Sequence, residues 1–82
     1  MKILVTGIAG DIGYGIGRIL KESGITEHLV GCDIHNEHPG KLVFNSCDVI
    51  EKADSERYIN SLISVAKRHD VDLIIPTSEP EL

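Results

Sequence analysis

Apolar residues fall along this chain in short unbroken runs, separated by stretches where they recur every third or fourth position. The first run, Lys2 to Thr6 (KILVT), does not alternate with polar residues, as suits a strand covered on both faces. Apolar residues then recur at Ile12, Ile16, Ile19 and Leu20, the i, i+4, i+7, i+8 spacing of one helical face. Asp11 stands where a capping acceptor belongs and Gly24 where such a helix ends. Gly13 and Gly17 lie on one side of that helix, where missing side chains let it sit close to the strand. A second run, Leu29 to Ile34, carries Asp33 near its end, and the loop after it holds the turn signal Pro39-Gly40. Lys41 to Asn45 reads equally as a helical turn or a short edge strand. Cys47 to Ile50 is a third strand. A second helix, capped by Asp54 or Ser55, is expected to bury Ile59, Leu62, Ile63 and Ala66. Lys67, Arg68 and His69 complement the dipole at its end. Asp72 to Pro76 is a fourth strand and Thr77 to Leu82 an acidic tail.

The order β-α-β-β-α-β with non-alternating strands calls for an α/β fold: a Rossmann-like parallel sheet of about four strands with helices on both faces. Right-handed crossovers give the strand order 3-2-1-4. Two helices do not cover both faces of four strands. Residues 1–82 are therefore expected to form one domain, incomplete at its C-terminal end, that belongs to a longer chain or self-associates.

Composition narrows the partners. The 41% hydrophobic and 26% charged fractions place the chain among ordinary globular proteins. The net charge is −5, and most of the acidic excess lies in residues 42–82, with four Lys/Arg against eight Asp/Glu. An acidic chain without a basic cluster argues against nucleic acid and against an anionic membrane. No apolar run reaches the length of a membrane span, and the N-terminal run is too short for a signal peptide. The default expectation is a cytoplasmic protein whose Cys32 and Cys47 are free thiols. Cys32, Asp33, His35, His38 and Cys47 lack the closely spaced pairs of a zinc site, so no metal site is expected.

The chemistry gathers in Val5 to Gly17, VTGIAGDIGYGIG, with five glycines in the eleven residues from Gly7. A strand turning into a helix through glycines exposes N–H groups that receive an anion. Thr6 to Gly13 has the form T-G-x-x-G-x-x-G, and Asp33 follows Gly13 by 20 positions, about where a dinucleotide-binding fold places its ribose-binding acid. Residues 1–50 thereby resemble the start of extended short-chain dehydrogenases and sugar-nucleotide epimerases. That resemblance implies an NAD(P)-binding domain in which Asp48 reaches the adenine. Against it, Asp11 carries a negative charge at the helix N-terminus where a pyrophosphate would lie. The Tyr-x-x-x-Lys pair of that family is absent, Tyr14 being followed four later by Arg18 and Tyr58 by Leu62, but in that family it would normally lie beyond residue 82 and its absence weighs little.

A second resemblance spans the whole chain. Gly10-Asp11-Ile12-Gly13, Cys32 to His35, Pro39-Gly40 and the closing VDLIIPTSEPEL together resemble the N-terminal (pre-ATP-grasp) domain of carbamoyl-phosphate-synthase-like ATP-grasp proteins. This is the leading expectation. It implies the substrate-pocket domain of an ATP-dependent carboxylate–amine ligase, inactive alone, with no catalytic residue of its own. The parent would use ATP and Mg²⁺, held by its remaining ATP-grasp domains, on a small-molecule carboxylate or amine. The substrate-binding residues so implied are Gly7, Gly10, Asp11, Gly13, Asp33, Thr77, Ser78 and Glu79. The glycine turn would hold an anionic acceptor, and Ser78 and Glu79 would orient an amine or hydroxyl.

Overall fold

A computed structural model describes residues 1–35, 42–50 and 56–77. Strands β1 (Lys2–Thr6), β2 (His28–Asp33), β3 (Ser46–Val49) and β4 (Leu73–Ile75) form one sheet in the order β3-β2-β1-β4, every pair parallel. This is the α/β Rossmann-like architecture with the 3-2-1-4 order expected from right-handed crossovers. Helix α1 (Asp11–Ser23) joins β1 to β2 and helix α2 (Tyr58–His69) lies between β3 and β4.

The register explains the unbroken apolar runs. Ile3 lies beside Leu29 and Leu4 beside Val30, so alternate residues of each strand feed opposite faces. On one face Ile3, Val5, Ile8, Leu29, Val43 and Phe44 form a core to which Tyr14, Ile16 and Leu20 of α1 add. On the other face Leu4, Val30, Cys32 and Ile50 pack with Tyr58 and Val65 of α2, flanked by Leu62 and Ala66. Cys32 and Cys47 contribute to opposite faces.

Both helices form where expected, but their contact lines differ. In α1 the buried positions are Gly13 and Gly17, while Ile12 and Ile19 are exposed. A helix touching a sheet through glycines comes close enough for large neighbours to be pushed to its flanks. In α2 the buried positions are Tyr58 and Val65, and Ile59 and Ile63 are exposed. The expected cap of α2 at Asp54 or Ser55 lies outside the described residues, where Arg57 is the last residue before the helix. Its last turn carries Lys67, Arg68 and His69, and Asp70 closes it with φ 54°.

Of the stretch 41–45, residues 42–45 turn rather than pair as a strand. They deliver Val43 and Phe44 to the core. The Phe44 ring fills the space left by two glycines: a Cβ on Gly17 would lie 2.8 Å from its Cε2, and one on Gly31 2.9 Å from its Cγ. Asn45 then tacks this turn to β2, its Oδ1 accepting the Leu29 N–H at 2.8 Å. Among the described residues no helix is long and apolar enough to cross a membrane.

Candidate functional site

The carboxyl ends of β1, β2 and β4 meet at the glycine turn between β1 and α1. Gly7 has φ 65°, a conformation that side-chain-bearing residues avoid, and it starts the reversal. The Gly10 N–H closes the turn on the Gly7 carbonyl at 3.1 Å, and the Tyr14 N–H opens the helix on the Gly10 carbonyl at 3.0 Å. Gly13 is where α1 passes the turn: a Cβ there would collide with the Gly7 carbonyl and lie 2.9 Å from the Thr77 hydroxyl. Gly10 is under no such constraint. It has an ordinary φ of −86°, and among the described residues a Cβ on it would meet only the Gly7 oxygen, at 3.5 Å.

The helix N-terminus is capped differently from expectation. Gly10, not Asp11, is the N-cap, and no side chain bonds to it. Asp11 is the first helical residue and is exposed. Among the described residues nothing accepts a hydrogen bond from the N–H groups of Asp11, Ile12 and Gly13, which are among the donors that a helix start leaves over. The Asp11 carboxylate is favourable toward the helix dipole, but it does not fill the turn. The objection that Asp11 caps the helix and so blocks an anion does not survive this geometry.

Asp33 closes the β2 side. It is only 6% exposed. Its Oδ2 accepts the Ala9 N–H at 2.9 Å and its Oδ1 the His35 N–H at 3.0 Å. The Ile8 N–H reaches the Cys32 carbonyl at 3.4 Å, so two successive residues of the turn are tied to β2. Each carboxylate oxygen accepts two bonds, which leaves capacity on both atoms for a ligand hydroxyl. Thr77 closes the β4 side. It is buried, its hydroxyl donates to the Thr6 carbonyl, and its N–H donates to the Thr6 hydroxyl oxygen at 3.3 Å.

Of the eight residues expected to bind substrate, Gly7, Gly10, Asp11, Gly13, Asp33 and Thr77 are brought to one edge of the sheet. Ser78 and Glu79 lie outside the described residues. The carboxylate of Asp48, expected to reach an adenine, is engaged in this structure by α2. Asp48 shares the α2 face with Ile50, and its carboxylate bonds Arg68 at 2.8 Å and the His69 Nε2 at 2.7 Å. His69 stacks on His28 with ring centroids 6.1 Å apart, and His28 contacts the Ser46 hydroxyl at 3.2 Å. Sequence reading missed this polar cluster because its hydrogen bonds join residues 18 to 21 positions apart on β2, β3 and α2. Parity along β3 is the signal that separates Asp48 from a ligand-facing acid. No group of three or more metal-ligating side chains occurs among the described residues.

No protein-family model matches the chain, and no curated protein matches it significantly. Among solved structures, the X-ray structure of L-threonine dehydrogenase from Clostridium difficile matches 92% of the chain with a TM-score of 0.71 and 25% sequence identity. The chain spans 23% of that protein's length. This finding overturns the resemblance to a carbamoyl-phosphate-synthase-like ATP-grasp ligase, since the matching structure is a dehydrogenase and nothing supports a pre-ATP-grasp domain. The physical reason lies in the motifs. A strand, a glycine turn and a helix are common to both families, so Gly10-Asp11-Ile12-Gly13 does not separate them. Of the closing segment, residues 71–77 form an ordinary strand and its exit, and residues 78–82 lie outside the described residues. The ATP and Mg²⁺ expected for the parent rested on that resemblance alone. What the chain is similar to is part of a dehydrogenase.

Proposed function

We propose that this chain is the NAD(P)-binding segment of an extended short-chain dehydrogenase or epimerase, holding the adenosine and pyrophosphate half of the cofactor. The observation that carries the reading is the juxtaposition at one sheet edge of an uncapped α1 N-terminus, a Gly10 that the fold itself does not require, and the Asp33 carboxylate. A pyrophosphate accepts from free N–H groups at a helix start, with the dipole in its favour. The second glycine of such a turn admits the phosphates to the backbone, and an acid at the end of the second strand accepts the ribose hydroxyls. The dehydrogenase similarity supports the same class.

The roles follow from the geometry. Gly7 turns the chain, Gly13 lets α1 pass, Gly10 leaves room for phosphate, and Asp33 takes the ribose diol. A buried carboxylate at the ribose favours NAD over NADP, because a 2′-phosphate there meets like charge. The nicotinamide end, the second substrate and the proton-transfer residues are contributed from outside these residues. Asp11 faces solvent beside the phosphate position and weakens binding modestly through its charge.

Isothermal titration of the chain with NAD⁺, NADP⁺ and ATP tests the reading. Saturable binding of NAD⁺, with weaker binding of NADP⁺ and of ATP at equal concentrations, is expected. Preference for ATP, or heat from none of the three, contradicts it.

A further inference from the structure

The geometry points to Thr77 as a positioning residue for the nucleotide seat: it fixes the β1 end of the glycine turn from the β4 side without touching the nucleotide. This inference rests on the nucleotide-binding reading above. The backbone ladder between β1 and β4 ends with Val5 beside Ile75. Beyond that pair Thr77 continues the attachment with its own atoms. Its hydroxyl donates to the Thr6 carbonyl and its N–H to the Thr6 hydroxyl oxygen. Both donors point inward and the residue is 9% exposed, so Thr77 has no donor left for a ligand.

The attachment falls immediately before Gly7, the left-handed residue that sets the course of the turn. The Gly7 carbonyl in turn holds the Gly10 N–H at 3.1 Å and faces the open Cα of Gly13, where the Thr77 hydroxyl is also the neighbour. Thr77 therefore reaches the seat through Thr6 and Gly7. Asp33 holds the same turn from the other side through Ala9, and the turn is gripped between two strands. Packing does not account for a threonine here. A valine has its shape and none of the cost of burying a hydroxyl, so the hydroxyl is explained by the bond it makes.

Thr77→Val and Thr77→Ser in the full chain separate the hydroxyl from the shape. The measurements are NAD⁺ affinity by titration, the amide resonances of Gly7, Ala9 and Gly10, and the melting temperature. Thr77→Val is expected to shift those three amides and to raise the NAD⁺ dissociation constant about 3- to 10-fold, the worth of one hydrogen bond. Thr77→Ser is expected to stay within about twofold of the parent, because the bond persists. Unchanged affinity and amides in Thr77→Val, even with a lower melting temperature, reduce Thr77 to a structural residue and overturn the inference. If Thr77→Val does not fold, Thr77→Ser decides: a Ser variant with affinity lost overturns a role for the hydroxyl, and retained affinity supports it. Absence of NAD⁺ binding by the parent chain overturns the nucleotide reading and this inference with it, whereas equal binding by parent and Thr77→Val overturns the inference alone.

Discussion

Gly10 and Gly13 stand three residues apart on one turn and lack side chains for different reasons. Gly13 is demanded by the fold, because a Cβ there strikes the Gly7 carbonyl. Gly10 is under no such demand among the described residues, where a Cβ on it would meet the Gly7 oxygen at an ordinary 3.5 Å. Gly13→Ala is therefore expected to destabilise the chain by about 1–3 kcal/mol in urea unfolding, the usual cost of overpacking. Gly10→Ala is expected to leave stability within about 0.5 kcal/mol while it impairs NAD⁺ binding; equal losses of stability in both variants contradict the distinction. Asp33→Asn presents an NH₂ group to the Ala9 or His35 N–H in place of a carboxylate oxygen. It should cost about 1–3 kcal/mol of stability, read as a fall in the urea midpoint with the slope unchanged. At this scale the sequence made the site largely legible: glycine spacing and the 20-residue step to Asp33 marked residues that do converge. What it hid was the use of each atom. Thr77 reads as a polar residue at a strand end, and only its burial and its two bonds to Thr6 show that it is spent inside.

Among the elements, the strands were the most legible and the helix faces the least. Unbroken apolar runs mark buried parallel strands with little ambiguity, because both faces need covering. Helical faces were half legible: Ile16, Leu20, Leu62 and Ala66 pack against the two cores, while Ile12, Ile19, Ile59 and Ile63 are exposed. Hydrophobic periodicity counts large side chains, yet α1 meets the sheet along Gly13 and Gly17, so Ile12 and Ile19 lie at its flank. In α2, which has no glycine, Tyr58 and Val65 are the buried positions and Ile59 and Ile63 are exposed. Phe44, the only phenylalanine, was invisible as a core residue because it sits on a turn, and its pocket is made by glycines on α1 and β2. Gly15 differs from its neighbours: nothing lies within 4 Å of a Cβ placed on it. Gly15→Ala should therefore stabilise α1 by about 0.5–1 kcal/mol, the helix-interior cost of glycine. Thermal unfolding checks this, and a lower melting temperature contradicts the openness of that position.

For the molecule as a whole, connectivity alone was sufficient to order the sheet, since right-handed crossovers leave few alternatives. Function was not legible in the same way, because a β-α-β half with a glycine turn is shared by unrelated chemistries. The arrangement also leaves β4 at a sheet edge with Leu73 and Ile74 45% and 38% exposed. Apolar edge strands recruit other chains. The chain is therefore expected to associate with rising concentration in sedimentation velocity, and Ile74→Lys to reduce that association; a monomer at every concentration contradicts the expectation. The central claim concerns the opposite face of the problem, the turn between β1 and α1. Its most direct test is the amide spectrum of the chain recorded as NAD⁺ is added. The account predicts that shifts concentrate on Gly7 to Gly13 and on Asp33, with the His28, Asp48 and His69 cluster unmoved. A spectrum that does not change, or one that changes around Asp48 and α2 while the glycine turn stays still, contradicts it.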